Sequence, residues 1–348
     1  MRSFLRSHPT ESWLAVVIAL MCIGLSLASN QFLTPGNLTS LLNNNSVNII
    51  WAVGLLVVLI AGGIDISFAV AASVVQYLAV PIFAMLGDGN WAIGFIVAGT
   101  IGILLGCINA ALIHEFRIIT IVVTIATFNA FFGLLMFFSK GRFIYNLPDW
   151  WSSRVVLWEH QSPDGRWAEL NLPVLIMLLC VIATWLLMRR TTTGRQLYAF
   201  GDNADGAVRA GVDARQMQYV AFGWMGLMAG IGGLMQVNIT QEVVPNALIG
   251  RELEVLAAVV LGGARLGGGR GSVIGCVLGV LLVAITQNGL NLLGVSPYAF
   301  KMIIGAIILI AISTSNVSWA TLSRSVNGAS RARSAGSGTT TQTHNTSA

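Results

Sequence analysis

VNIIWAVGLLVVLIAGGIDISFAVAASVVQYLAVPIFAML, residues 47–86, is an apolar stretch whose only formal charge is Asp65. It is too long for one membrane crossing, since the hydrocarbon core takes about 17 to 25 residues of helix. Gly62 and Gly63 divide it into two runs, Val47–Ala61 and Ile66–Leu86, that read as separate spans. A double glycine suits the end of the first helix. Asp65 suits the N-cap of the second, where a carboxylate accepts free backbone N–H groups. The competing role for Asp65 is direct contact with a solute.

The rest of the chain repeats the pattern. Of 348 residues, 55% are hydrophobic and 9% are charged, against about 25% charged in a soluble domain. The apolar runs are continuous rather than alternating with period two, which favours helices over a barrel. The expected fold is an all-α polytopic membrane protein of about ten spans. They are Trp13–Ala28, Val47–Ala61, Ile66–Leu86, Trp91–Ile113, Ile118–Phe138, Leu172–Met188, Met217–Val237, Leu253–Leu261, Val273–Leu293 and Tyr298–Ile312. The eighth is short enough to be a half-helix, so broken elements are expected near 62–65 and 253–271. Residues 1–12 read as a cytoplasmic segment, 13–314 as the membrane domain, and 315–348 as a disordered tail rich in Ser, Thr, Gly, Ala and Arg.

Charge placement sets the expected orientation. With both termini cytoplasmic, thirteen of the 19 Lys and Arg fall inside, the asymmetry of the positive-inside rule. The net charge of +5 therefore reflects orientation and gives no reason to expect nucleic acid. Cys22, Cys107, Cys180 and Cys276 lie in apolar runs without ligand spacing, so no metal site is expected.

Catalysis finds little support. The glycine-rich GGARLGGGRGS, residues 262–272, lacks the lysine of a phosphate loop, and the four histidines lack zinc-binding spacing. Passage of a solute fits better. Asn109, Thr124, Thr127, Asn129, Gln236, Asn238, Gln287, Asn288 and Asn291 place uncharged polar groups in or at the ends of spans. Such groups either join helices or line a path for a polyhydroxylated solute. From this set Asn109, Thr127, Asn129, Gln236, Asn288 and Asn291 are the pathway candidates. Glycine pairs at four-residue spacing, Gly102/Gly106, Gly226/Gly230 and Gly275/Gly279, read as helix-packing devices. Asp65 is the only acidic candidate at membrane depth, and its place at a break weakens an ion-coupled mechanism. A secondary sugar carrier and a non-transporting receptor are the rival readings.

Two connections stand out. Residues 140–171 carry Trp150, Trp151, Trp158 and Trp167, which form an interfacial belt or a docking surface for an external partner. Residues 189–216 contain a short amphipathic stretch, Ala204–Ala210, suited to lie along the membrane and meet a cytoplasmic motor or to act as a solvated connector.

AGGIDIS, TTTGRQLYAFGDNADGAVRAGV and LAAVVLGGARLGGGRGSVIGCVLGVLLVAITQNGLNLLGVSPY together resemble the ribose-type permease subunits of ATP-binding cassette importers. VVTIATFNAFFGLL adds to the likeness, which runs from about Leu33 to Ile312. The resemblance implies two permease chains, identical or different, and a cytoplasmic ATPase that binds ATP and Mg. It also implies a periplasmic binding protein, and a monosaccharide or similar polar solute moved inward across the inner membrane by alternating access. No cofactor is expected in this chain. Asn203, Ala204, Asp205, Ala207, Arg209 and Gly211 would belong to the ATPase coupling helix. Gly62, Gly63, Asp65 and Ser67 would form the broken pore wall. Outer loops, including 150–171 and 243–250, would receive the binding protein. Phe68, Ala69 and Val70 after Ser67, and Arg265, depart from the family's usual residues and leave the particular sugar open.

Overall fold

A computed structural model describes residues 9–87, 89–161, 167–296, 299, 302, 305 and 306. The described residues up to Ala299 belong to one compact unit. In it, α1 (Pro9–Ala28), α2 (Pro35–Ile60), α3 (Phe68–Met85), α4 (Trp91–Phe116) and α5 (Thr120–Ser139) lead to a short α6 (Asp149–Ser152). An antiparallel hairpin follows, β1 (Val156–Gln161) against β2 (Trp167–Asn171). Then come α7 (Leu172–Arg190), α8 (Thr192–Asp202), α9 (Ala204–Arg209), α10 (Ala214–Thr240), α11 (Arg251–Leu261) and α12 (Val273–Leu292).

Eight of these helices, α1 to α5, α7, α10 and α12, are long and apolar enough to cross a membrane. The expected half-helix is α11, whose 11 residues span about 16 Å. The tenth expected span, Tyr298–Ile312, and the tail 315–348 lie outside the described residues except for Ala299, Met302, Gly305 and Ala306.

Two expectations are corrected. First, α2 begins twelve residues before its apolar run. Pro35 opens it with a preset φ, and Thr34 caps it by accepting the Asn37 N–H. The polar residues of the added turns are paired: Asn37 and Asn288 exchange amide hydrogen bonds of 3.0 and 2.8 Å, and Ser46 donates to the Asn43 carbonyl. Second, residues 140–171, expected as a loop, hold α6 and the hairpin.

The core is built on α2 and α10. From Val47 to Ile60 every α2 residue except Asn48 is buried, so this helix is wrapped on all sides. α10 packs on α4 through backbone. A Cβ on Gly102 or Gly106 would collide with the carbonyl oxygen of Gly226 or Phe222, and one on Gly226 or Gly230 with that of Gly102 or Ala98. Glycine is required here because no side chain fits between the helices, which gains close backbone packing in a solvent that offers little hydrophobic drive. Gly279 packs on α11 in the same way, against the Ala258 carbonyl. By contrast α1 is largely exposed along its length, with Trp13, Leu20, Ile23 and Leu27 all outward.

Candidate functional site

The break between α2 and α3 is closed by its own backbone. Gly62, at φ 84°, takes the left-handed position after α2, and the N–H of Gly63 donates to the Val58 carbonyl at 3.0 Å. Helix α3 starts at Phe68, so the N-cap is Ser67 and not Asp65. Asp65 acts from two residues earlier: its buried carboxylate accepts both the N–H and the hydroxyl of Ser67 at 2.7 Å. The Ser67 hydroxyl in turn accepts from the Asn109 amide at 2.8 Å, on α4. The α5 hydroxyls complete the frame, Thr120 accepting from the Ile64 N–H and Thr124 donating to the Ile64 carbonyl, both at 3.2 Å. A four-element knot thus fixes the break. One acceptor is left over, the buried Oδ1 of Asn109.

The far side of the break meets the helix that leads into the amphipathic stretch. Helix α8 begins at the Thr191 cap, and its Gly201 lies on the end of α2, where a Cβ would collide with the Ile60 carbonyl. The glycine-rich stretch 262–272 fills the remaining gap. The Gly269 N–H donates to that same Ile60 carbonyl at 2.9 Å, and a Cβ on Gly268 would overlap Gly201 and stand 2.8 Å from the Gly62 Cα. The Tyr198 hydroxyl closes the group on the Gly271 carbonyl at 2.8 Å, and burial raises its pKa, so it remains a donor. The glycines read as a poor phosphate loop are therefore a backbone junction.

Helix α9 follows directly. Asn203 caps it by accepting the Gly206 N–H at 2.9 Å, and Gly211, at φ 92°, ends it. Of Asn203, Ala204, Asp205, Ala207, Arg209 and Gly211, only Ala207 is buried. The others present an exposed face. Cavities of about 270 Å³ and 440 Å³ adjoin the junction, sharing Gly62, Thr120 and Gln218, with Ala204 at the first and His114 and Arg117 at the second.

Among the described residues, no hydrogen bond joins any two of the six pathway candidates. Asn109 belongs to the break. Thr127 is buried but donates within its own helix, to Val123 and Thr124. Asn129 bonds to the Ile125 carbonyl on an exposed face, and Asn291 is exposed. Gln236 is buried on α10, and Asn288 is held by Asn37. Amides at this spacing join helices as readily as they face a solute, which is why sequence could not sort them.

The tryptophans divide as well. Trp151 is fully buried, its indole N–H donating to the Leu234 carbonyl at 2.9 Å, and it offers no face to a partner. Trp150 is half-buried against Phe83, Trp91 and Trp151. Of the four in residues 140–171, only Trp158 and Trp167, on the hairpin, are exposed. Asp65 is also not the sole buried acid. Glu252 accepts the Gly250 N–H with both oxygens, and Glu11 accepts the Ser272 hydroxyl. Both serve as hydrogen-bond acceptors near helix starts, a role that hydropathy does not reveal.

A family model described as branched-chain amino acid transport system / permease component matches residues 37–312. The ribose import permease protein RbsC of Escherichia coli K12 is 29% identical, covering 89% of this chain and 97% of the relative. RbsC of Bacillus subtilis is 32% identical over 84% and 88%. The autoinducer 2 import system permease protein LsrC of Photorhabdus luminescens is 31% identical over 85% and 87%. No solved structure matches. The match takes in the break, the junction and α9 together, and the chain belongs to the branched-chain amino acid transport system / permease component family, as a multi-pass membrane permease and not an enzyme.

Proposed function

We propose that the chain is the membrane-spanning subunit of an ATP-binding cassette importer that carries a monosaccharide or similar small polar solute inward by alternating access. The observation that carries this reading is the exposed face of α9 coupled, through Gly201 and Gly268, to the backbone of Ile60 and Gly62 at the α2–α3 break. Closure of an ATPase dimer beneath α9 would move α8 as a rigid piece. The backbone contacts would pass that displacement to the break, with no flexible side chain to absorb it.

Arginines favour the α9 end as the inner one. Arg189, Arg190, Arg195, Arg209, Arg215, Arg265 and Arg270 gather there, which is the distribution of a cytoplasmic face. The hairpin then faces outward, where a periplasmic binding protein would deliver the solute. A second permease chain would complete the pore. ATP and Mg would sit wholly in the partner ATPase.

Co-reconstitution in liposomes tests the proposal. Uptake is expected only with the ATPase, the binding protein and ATP. Uptake by this chain alone along a proton or sodium gradient would instead identify a secondary carrier, and binding without uptake a receptor.

A further inference from the structure

Under the hairpin lies a cavity of about 290 Å³ that the break and the junction do not use. Its walls are the polar first half of α2, strand β2, and the ends of α7 and α10. This explains why α2 carries an asparagine-rich stretch that no apolar span needs. Asn43 builds the wall: its amide donates to the Glu169 carbonyl at 2.7 Å and its Oδ1 accepts the Asn171 N–H at 3.1 Å. The groups left for a ligand are different ones. The Asn171 side chain lines the cavity, and its Oδ1, closed off from solvent and without a hydrogen-bond partner, would be satisfied if the amide turned toward a bound hydroxyl. Asn44 offers an exposed amide from α2. Arg154 and Glu169 stand 3.6 Å apart, so their charges offset each other and the wall offers both donors and acceptors without a net field. Trp167 adds an aromatic surface.

We infer that this cavity is an outer receiving site for a neutral polyhydroxylated solute of monosaccharide size, a reading that rests on the permease proposal. Each feature selects for that class. A volume just below the roughly 300 to 1,000 Å³ of drug-sized sites suits a single sugar ring. Amide, guanidinium and carboxylate groups together satisfy hydroxyls, which donate and accept at once. The paired charges disfavour an anion or a cation, because either would have to break the pair. An indole beside such groups accommodates the apolar face of a pyranose or furanose. The site lies about 30 Å along α2 from the break, at 1.5 Å per residue, so it can take solute from outside before the inner end responds.

The test uses the full chain in lipid nanodiscs, titrated calorimetrically with ribose, with a panel of neutral monosaccharides and with ribose 5-phosphate. At least one neutral sugar is expected to bind and the phosphate to bind more than tenfold more weakly. Asn171→Leu should weaken the neutral sugar at least tenfold, and Asn44→Leu, on an exposed helix face that folds regardless, about threefold to tenfold. Leu157→Ser, on the hairpin outside the cavity, should leave binding unchanged. No binding at 50 mM sugar, tighter binding of the phosphate, or unaltered affinity in both asparagine variants would each overturn the site. The same variants in the assembled importer separate the two proposals. If ATP-driven uptake persists with an unchanged KM, the outer site is wrong and the permease reading stands. If the assembled wild-type complex shows no ATP-driven uptake, the permease reading fails.

Discussion

The two ends of α2 are held by different means. At the α9 end, Ile60 and Gly62 meet Gly201, Gly268 and Gly269 main chain to main chain, with glycines where any side chain would collide. At the hairpin end, side chains make the contacts: Asn43 of α2 to strand β2 and Asn37 of α2 to Asn288, and between α6 and α10 Trp151 to the Leu234 carbonyl and Asn238 to the Trp151 and Ser153 carbonyls at 2.9 Å. Backbone contact transmits a displacement with little give. Side-chain contact permits small rearrangements around whatever enters. One end is thus built to be pushed and the other to accommodate.

The largest effect should come from emptying the hairpin end. Trp151→Ala removes a fully buried indole wedged against Phe83 and Trp150, together with its hydrogen bond. A cost of about 3–5 kcal/mol is expected for such a truncation, read as a lowered Tm in detergent and poor recovery of folded protein. Retention of wild-type Tm would mean that the tryptophan is a surface group after all. At the opposite end Gly201→Ala adds one methyl group against the Ile60 carbonyl, 2.8 Å from the Gly269 nitrogen. Overpacking costs about 1–3 kcal/mol, but here ATP-driven uptake should fall further than stability does. Equal tolerance of alanine at Gly201 and at the open Gly133 would dissolve the contrast between the two ends.

Sequence made one of these ends far more legible than the other. The break at Gly62 and Gly63 stands out because glycine and a lone carboxylate interrupt two apolar runs. Glycine pairs at four-residue spacing also mark α4 against α10 and α12 against α11. Hydropathy failed where polarity was satisfied internally. The first half of α2 reads as a loop until Asn37, Asn43 and Ser46 are seen to spend their hydrogen bonds on neighbours. The hairpin has a turn signal, Pro163-Asp164-Gly165, but its strands are short and largely exposed and carry no apolar alternation to betray them. Trp151 and Trp158 are indistinguishable as letters. Their burial differs because Trp151 follows Pro148 into α6 and turns onto α10, whereas Trp158 lies on the outer strand.

Asp65 sits between the two regimes, being a side-chain contact inside a backbone-built break. Asp65→Ala would strand the N–H and hydroxyl of Ser67 in a buried setting, at a cost of about 1–3 kcal/mol. Assembly should suffer while the ranking of solutes in uptake stays the same. Asp65→Asn keeps an acceptor at the same position and should recover most of the loss. An intact, well-assembled alanine variant with altered solute preference would move Asp65 from the frame to the solute path.

The smallest structural effect and the sharpest functional one are expected at α9. Arg209 is exposed and makes no ion pair among the described residues, so Arg209→Ala should change stability by no more than about 0.5 kcal/mol, as surface substitutions usually do. If α9 is the face that meets the ATPase, the variant should still fold, and its solute binding at the hairpin end should be untouched. ATP-driven uptake should drop severalfold, and co-purification with the ATPase should weaken most at low salt, the difference from the wild type shrinking above about 0.3 M, where a charge contact at a wet interface is screened. Pairing this variant with Gly201→Ala separates docking from transmission. Loss of ATPase binding belongs to Arg209, whereas a bound ATPase that hydrolyses ATP without moving solute belongs to Gly201. Should Arg209→Ala leave both binding and uptake unchanged, the contact with the motor must run through other exposed positions of α9, such as Asp205 and Val208, before the push reaches Gly201.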